Sequence, residues 1–376
     1  MNEQEVYYTL ALTRLTGFNP AVALQLYREL GGGQSVYEHR QDIGDVLPDC
    51  SPRLRETLQQ DWSIALHKAA LEMEFLAKHH IKPLLLGEPD YPQRLSECPD
   101  APIVLFFMGS TDLNQRRVIN IVGTRHATSY GQDLVRHLVT DLKQMGVRPL
   151  VVSGLAYGID ICAHREALNN GMETIGVLAH GLDELYPSPH RETAKQMLVQ
   201  GGLLTEYMTE TRADKLNFVR RNRIVAGISD ATILVESAVK GGGLITCGIA
   251  QDYNRPVFAF PGAVGATYSE GCNQLIRTNG AQLITSAADL VSDLGWQTDV
   301  QLQEAKQAGI ERQLFVDLSP EEQSIVRLLQ EIGDTQLNLL SVKANIPIGQ
   351  LTALLFQLEM KGVVRPLAGG SYHLLG

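Results

Sequence analysis

The stretch Val118-Ile119-Asn120-Ile121-Val122-Gly123-Thr124-Arg125 indicates how the middle of this 376-residue chain folds. A short, mostly β-branched apolar run ends at a glycine, as a buried strand does where it turns into a helix. Similar runs, separated by connections long enough to hold a helix, recur at 83–86, 103–107, 150–152, 175–178, 203–205, 232–235, 257–260 and 283–284. Continuously apolar strands are typical of a parallel sheet covered on both faces. We therefore predict a doubly wound α/β domain over residues 79–298.

Residues 1–78 have the pattern of an all-helical domain. Apolar residues recur at helical spacing between glycine-containing turns at 17–20 and 31–33. This arrangement is typical of small modules of the SAM or helix-hairpin-helix type, some of which hold DNA phosphates on the amides of the turn. The segment carries seven basic and eleven acidic residues, which favours a structural or protein-contact role over DNA binding.

The C-terminal region is predicted to be a linker over 299–316 and a winged-helix-like domain over 317–376. Ser319-Pro320-Glu321-Glu322 is typical of a helix start. Three apolar helical stretches are then followed by a strand, a glycine turn and a strand. The third helix, 349–361, has Lys361 as its only basic residue, whereas helices that read DNA use polar and basic side chains. A protein-contact or weak-binding module is therefore at least as good an interpretation as a sequence reader.

Composition excludes several classes of protein. With 20% charged and 44% hydrophobic residues, the chain is predicted to be globular. No apolar run approaches the roughly 20 residues that span a bilayer, and no signal peptide is apparent, so we expect no membrane contact and a cytoplasmic location. The five cysteines are 25 or more positions apart and form no zinc-ligand pair. The net charge of −10 argues, on average, against a polyanionic partner.

Four strand-to-helix turns of the α/β domain contain glycine or a small hydroxyl residue, at 123–125, 153–158, 241–246 and 261–262. In a parallel sheet such turns lie at the carboxyl edge, where helix N-termini offer free N–H groups to anions. Several of them on one edge predict a phosphate-binding rim. Its candidate residues in these turns are Gly123, Ser153, Gly154, Gly242 and Thr246.

Residues 212–223 are a basic stretch in an acidic chain, with five basic residues and one acid. Phe218 and Asn222 lie among its arginines, and an aromatic ring beside guanidinium groups can stack a base while the arginines hold phosphate. The alternative is that these arginines are solvated or pair with Glu206 and Glu210. The basic residues predicted at the rim are Arg125, Arg191, Arg220, Arg221, Arg223 and Lys240.

A catalytic site is not predicted. Ser153, Asp160 and His164 could be drawn as a hydrolytic arrangement, but no nucleophile elbow surrounds Ser153, and capping or turn-fixing roles explain it and Asp160 as well. The sequence also lacks a metal-ligand cluster, a dinucleotide fingerprint and a P-loop. We therefore expect no cofactor and no metal.

Ordered motifs run through the chain. They include Tyr91-Pro92-x-x-Leu95, Val122-Gly123-Thr124-Arg125, Ser153-Gly154-Leu155-Ala156-x-Gly158-Ile159-Asp160, Tyr186-Pro187, Phe218-x-x-Arg221-Asn222-Arg223, Lys240-x-Gly242-x-Leu244-Ile245-Thr246 and Gly271-x-Asn273-x-Leu275-Ile276. In this order they resemble the DNA-processing protein A family (DprA, also called Smf), over nearly the whole chain and most closely from about 81 to 295.

The resemblance implies an extended Rossmann-like domain that dimerises and binds single-stranded DNA in a basic pocket. It also implies that the protein protects incoming DNA in natural transformation and loads the RecA recombinase. The family's pocket arginine falls on Arg125, its next basic residue on Arg191, and its Arg-Asn-Arg motif on residues 221–223. Lys240, Gly242 and Thr246 match the family's Lys-Ser-Gly-Ser-Leu-Ile-Thr loop. Gly241 and Gly243 replace its serines, which removes two hydroxyl donors.

Two other functions are compatible with parts of the sequence. The phosphoribohydrolases share a related fold and carry a Pro-Gly-Gly-x-Gly-Thr-x-x-Glu loop, but their catalytic glutamate would fall on Ile249. A transcription regulator acting through the C-terminal domain is disfavoured by the shortage of basic residues on its third helix. The sequence thus favours a single-strand DNA-binding protein over an enzyme.

Overall fold

The structure is a computed structural model that describes residues 2–15, 20–296, 318–333, 335–361, 363–367 and 371–374. The chain forms two compact units, residues 1–300 and 301–376. The linker predicted over 299–316 lies outside the described residues.

The N-terminal segment is helical, as predicted. Its helices are α1 (Glu3–Leu15), α2 (Pro20–Leu30), α3 (Gly33–Glu38), α4 (Ile43–Val46), α5 (Pro52–Gln59) and α6 (Ser63–Lys78). Leu10 and Val36 share one buried cluster with Leu85 and Phe106 of the neighbouring sheet. Residue 78 therefore ends the helices but does not end their hydrophobic core.

The glycine turn before α3 is occupied by a side chain of the protein itself. The Glu5 carboxylate accepts hydrogen bonds from the amides of Gly33 (2.5 Å) and Gln34 (3.1 Å). An internal carboxylate thus bonds the amides that a DNA phosphate would use in a helical-hairpin module. This contact favours the structural role expected for these helices.

The α/β domain contains a nine-stranded sheet with the order β1-β2-β6-β5-β4-β3-β7-β8-β9. The strands are β1 (Lys82–Leu85), β2 (Val104–Gly109), β3 (Val118–Val122), β4 (Leu150–Ser153), β5 (Thr174–Val177), β6 (Gly201–Thr205), β7 (Ala231–Leu234), β8 (Val257–Ala259) and β9 (Gln282–Leu283). The predicted parallel pairing holds from β6 to β9. It is wrong for β1 and β2, which pair antiparallel at one edge.

Helices cover both faces of this sheet, which confirms the doubly wound class. They are α7 (Gln93–Ser96), α8 (Ser129–Gln144), α9 (Ile159–Asn169), α10 (Arg191–Val199), α11 (Lys215–Gly227), α12 (Gly242–Asp252), α13 (Glu270–Arg277) and α14 (Ala287–Asp293). Val118 and Val122 of β3 pack in one buried cluster, whereas Ile119 and Ile121 pack in another. Alternate residues of one strand point to opposite faces, so an all-apolar strand is stable only between two helical layers.

The second unit has the winged-helix arrangement, as predicted. It contains α15 (Pro320–Ile332), β10 (Thr335–Gln336), α16 (Leu337–Ala344), α17 (Ile348–Met360), β11 (Val364–Leu367) and β12 (Ser371–Leu374). Ser319 and Glu322 form a capping box at the start of α15. Lys361, at the end of the predicted third helix, donates to both carboxylate oxygens of Glu322, at 2.8 and 2.7 Å.

Within the described part of the chain, no single helix has the length and apolarity to cross a bilayer. The pair α16 and α17 meets those criteria together, but the two helices meet at an angle of 106°.

Candidate nucleic-acid interface

The direction of the chain through the sheet reverses beside β3. From β3 the chain continues through β4, β5 and β6 on one side, and β7, β8 and β9 follow on the other. In open α/β sheets, ligands bind outside the carboxyl ends of the strands at such a switch point. The turns after β3, β4 and β7, for which the sequence predicts phosphate contacts, all lie at this edge.

Backbone contacts lock these turns together. The Thr124 amide donates to the Glu236 carbonyl (2.8 Å), and the Ile159 amide donates to the Thr124 carbonyl (3.1 Å). Gly158 has a φ of 81°, and a Cβ there would lie 2.7 Å from the Arg125 Cα. Only glycine tolerates that conformation and that approach. The position of Arg125 is therefore fixed by main chain from three strand ends.

Arg125 is exposed, and its guanidinium carbon lies 4.9 Å from the centroid of the Phe218 ring. The ring of Tyr186, 47% exposed, lies 5.9 Å from Phe218. Tyr157, 45% exposed, precedes Gly158 and contacts His190 edge-on at 4.9 Å. We call Arg125, Tyr157, Tyr186 and Phe218 the Arg125 face. It combines an accessible cation with three rings able to stack bases.

Arg221 is near this face but does not reach its surface. It is 4% exposed, and its guanidinium carbon lies 5.7 Å from the Phe218 centroid. Nη1 donates to the Val177 carbonyl. A Cβ at Gly154 would lie 2.6 Å from Nη2 and would also collide with the Asp160 carboxylate. The prediction that Arg221 lies on an exposed rim is therefore corrected: it is a buried cation beneath Phe218.

The buried charge of Arg221 is balanced by Asp160. Burial lowers the pKa of the Arg221 guanidinium, and the Asp160 carboxylate opposes that shift. Burial likewise raises the pKa of Asp160, and Arg221 opposes that change. Two buried charges are tolerated when each compensates the other. The pair therefore connects the start of α9 to α11, and Arg221 also bonds the end of β5 through Val177, beneath the Phe218 ring.

The other arginines of α11 point elsewhere. Phe218 and Arg221 are three residues apart and share one helix face. Arg220 and Arg223 instead line a groove of about 1020 Å³ between α11 and the N-terminal helices. Arg223 is held there by an ion pair with Glu206 and a 2.8 Å hydrogen bond to the Asp100 carbonyl. The predicted single basic patch is thus divided between two faces of one helix, and the alternative pairing with Glu206 is correct for Arg223.

The remaining predicted site residues differ in how exposed they are to solvent. The Ser153 hydroxyl is fully buried and donates to the Ile121 carbonyl (2.6 Å), and Thr246 is 3% exposed. Neither side chain forms part of an exposed rim. Gly154 is buried, Gly123 and Asn222 are half-buried, and Lys240 and Gly242 are exposed at the start of α12. Arg191 is exposed at the start of α10, next to the His190 ring that contacts Tyr157.

Glycine at position 243 lets α12 approach the β3 turn. A Cβ there would lie 3.3 Å from the Gly123 Cα and 2.7 Å from the Leu234 Cδ1. A Cβ at Gly241 would collide with the Ser237 hydroxyl. Gly243 therefore permits a close backbone approach to the β3 turn. Without the two serine hydroxyls, this turn offers a ligand its backbone amides and the Lys240 side chain.

Ser153, Asp160 and His164 do not form a hydrolytic arrangement. The His164 Nε2 contacts the Gly154 carbonyl (2.5 Å), Nδ1 contacts the Thr174 hydroxyl (2.7 Å), and burial lowers the His164 pKa to about 4. Ser153 donates to main chain instead of to this imidazole. Among the described residues no cluster of His, Cys, Asp and Glu could hold a metal ion. Ile249, where a phosphoribohydrolase would need glutamate, is half-buried on α12.

Comparison with known proteins identifies the family. The profile of the family described as DNA recombination-mediator protein A matches residues 82–295, and that of the DprA winged helix domain matches 312–370. The chain belongs to the DprA/Smf family. Protein Smf of Synechocystis is 34% identical over 99% of this chain and 100% of its own length. DNA processing protein DprA of Streptococcus pneumoniae is 38% identical over 54% of this chain and 71% of its own.

Solved DprA structures have the same fold. DNA processing protein A of Streptococcus pneumoniae superposes with a TM-score of 0.63 and 31% identity, covering 78% of this chain and 98% of that one. A DprA structure from Helicobacter pylori, described by its single-stranded DNA binding mode, gives 0.52 and 28%, covering 58% and 96%. The DprA resemblance drawn from the motifs is therefore confirmed.

Sequence reasoning missed two members of the Arg125 face. Tyr157 and Tyr186 were quoted only as parts of motifs, although each is about half exposed. Their positions in turns were the available signal, but a tyrosine before a proline does not by itself indicate exposure: Tyr91 also precedes a proline and is 1% exposed, whereas Tyr186 is 47% exposed.

Proposed function

We propose that this chain binds single-stranded DNA across the Arg125 face. The observation that carries the proposal is the contact between the Arg125 guanidinium and the Phe218 ring at the switch point of the sheet. The single-stranded DNA binding mode named for the Helicobacter pylori relative supports it. The strand's phosphates would meet Arg125, Arg191 and Lys240, and its bases would stack on the rings.

The chemistry favours a single strand over a duplex. Stacking on Phe218, Tyr157 and Tyr186 requires bases with free faces, which a paired duplex keeps inside its own stack. The acidic remainder of the chain, with its net charge of −10, discourages indiscriminate binding along duplex DNA.

Membership in the DprA/Smf family supports a more specific proposal for the cellular role. We infer that the protein acts in the cytoplasm, protects incoming single strands during natural transformation and loads RecA onto them.

Assembly as a homodimer is supported by β9, an edge strand of the sheet whose residues Gln282 and Leu283 are both exposed. Unpaired strand edges are ready-made pairing surfaces. Light scattering of the wild type and of Leu283→Arg tests this, and a monomeric wild type would contradict it.

Fluorescence anisotropy with single-stranded, double-stranded and mononucleotide ligands at two salt concentrations tests the binding proposal. We expect preference for the single strand and weaker binding at higher salt, because phosphate contacts release counterions. Equal affinity for duplex, or preference for the mononucleotide, would overturn it. Recombinase loading is tested separately, by the rate of RecA filament assembly on a strand already coated with single-strand-binding protein.

A further inference from the structure

Two consecutive residues of the β3 turn face two different aromatic groups. Arg125 contacts Phe218, whereas the His126 ring stacks on Tyr268 with centroids 6.1 Å apart and planes inclined by 27°. Tyr268 belongs to the loop between β8 and α13. The turn therefore separates the Arg125 face from a second aromatic surface on the β7–β8 side of the switch point.

Beside Tyr268 lies a cavity of about 620 Å³, within the size range of ligand pockets, about 300–1,000 Å³. It lies between the start of α8 and the carboxyl ends of β7 and β8, and none of the residues assigned to the Arg125 face lines it. Its wall residues are Thr128, Tyr130, Glu236, Pro261, Gly262, Ala263, Ala266, Thr267, Tyr268 and Ser269. Tyr130 is 45% exposed, and Val264 in the same loop is 99% exposed.

The walls are held in place by internal hydrogen bonds. The Tyr130 hydroxyl donates to the Pro261 carbonyl (2.7 Å), and the Asn273 amide bonds both the Gly262 carbonyl (2.9 Å) and its N–H (3.1 Å). The Glu236 carboxylate accepts from the Thr128 hydroxyl (2.6 Å) and amide (2.9 Å). These polar groups already have partners, so the cavity offers mainly ring and aliphatic surface. Such walls suit a flat, largely apolar group and not an isolated ion.

The turn that carries Lys240 borders the same loop. The Ser237 amide donates to the Tyr268 carbonyl (2.7 Å), and the Gly271 amide donates to the Ser237 carbonyl (2.8 Å). Three residues later Lys240 is exposed before the start of α12. Lys240 therefore follows the cavity residue Glu236 by four positions on one side. On the other side, Arg125 precedes His126, whose ring stacks on Tyr268. A ligand with a phosphate on each side of a flat ring fits this arrangement of two cations and a cavity.

We propose that this cavity, the Tyr268 pocket, takes one unstacked nucleobase of the DNA strand whose neighbouring nucleotides lie on the Arg125 face. The inference rests on the proposed function. It adds a second stacking site across the β3 turn, so that the strand crosses the turn between Phe218 and Tyr268. Because the walls present rings and few free polar groups, the pocket binds the base with little preference for its sequence.

The test uses short single strands that carry one abasic site, moved stepwise along the strand. Loss of a stacked base costs roughly 5- to 150-fold in affinity. Wild-type protein should show sensitive positions on both sides of the β3 turn. Tyr268→Ala should abolish the sensitivity on the pocket side and Phe218→Ala should abolish a sensitivity on the Arg125 face, whereas Tyr268→Phe keeps the ring and the full set of sensitivities. Val199→Ala, 82% exposed at the end of α10, is the control for a neutral surface change.

A second variant guards against loss of the loop structure in Tyr268→Ala. Ala266→Trp fills the exposed mouth of the pocket without removing any ring, and thermal unfolding checks that it folds. It should reproduce the effect of Tyr268→Ala. Wild-type affinity and the wild-type set of sensitive positions in both variants would overturn the pocket while leaving single-strand binding intact. Failure of the wild type to bind any single strand would overturn the proposed function as well.

Discussion

Arg125 lies with its guanidinium carbon 4.9 Å from the Phe218 ring centroid, which brings the turn after β3 together with α11, about 90 residues further along the chain. The cation is exposed and the ring half-buried. Cation and ring thus form one surface, on which a phosphate and a base of the same nucleotide can both find partners.

Arg125→Ala should weaken single-strand binding and reduce its salt dependence. Each phosphate contact contributes about −0.7 to the slope of log affinity against log salt for single strands, so the variant should lose about that amount. Anisotropy titrations at several salt concentrations measure it. Arg148→Ala removes an exposed arginine just before β4, at the opposite edge of the sheet, and should leave the slope intact. An unchanged slope in Arg125→Ala would remove this residue from the site.

Phe218→Ala should lower affinity by about 1–3 kcal/mol with little change in salt slope, because it removes a stacking surface and no charge. Phe218→Tyr keeps the ring and should retain most of the affinity. Titrations of both variants with the same strand provide the comparison. A loss of equal size in Phe218→Tyr would show that stacking is not what the ring contributes.

Arg221→Ala should act on stability before it acts on binding. It leaves the Asp160 carboxylate buried without its partner, which typically costs about 3–5 kcal/mol. Urea denaturation measures the loss, and Asp160→Asn combined with Arg221→Met should recover part of it. If Arg221→Ala unfolds like the wild type but loses salt slope, the guanidinium contacts phosphate and the buried assignment is wrong.

The free energy of unfolding of the α/β domain should fall as the pH is lowered from about 6.5 to about 4. Burial lowers the His164 pKa from 6.5 to about 4, so in that interval the unfolded chain binds the proton and the folded protein does not. The burial of neutral His164 therefore makes a pH-dependent contribution to the free energy of unfolding. This contribution is fully present above pH 6.5 and is lost as the pH falls to about 4, a change of up to roughly 3 kcal/mol. Denaturation midpoints across pH measure it. His164→Gln should flatten the profile, and an equally steep profile would assign it to other groups.

Local sequence predicted much of the fold. The apolar runs ending in glycine indicated strand-to-helix turns of a covered sheet, and the Ser319 capping box marked the start of α15. These features depend on a few neighbouring residues. The antiparallel pairing of β1 and β2 was not predictable, because an apolar edge strand looks the same in either direction.

The sequence by itself determined which residues could serve a DNA strand: the glycine turns, Phe218 and the arginines near it. Tertiary structure alone decided which of them are available. Arg220 and Arg223 lie on a different face of α11 from Phe218. Arg221 is buried beneath the Phe218 ring. Arg125 reaches the same ring from the β3 turn. The physical reason is that residue type is a local property. Exposure and charge pairing, by contrast, depend on which distant segments the sheet brings together, as Tyr157 and Tyr186 show at the Arg125 face.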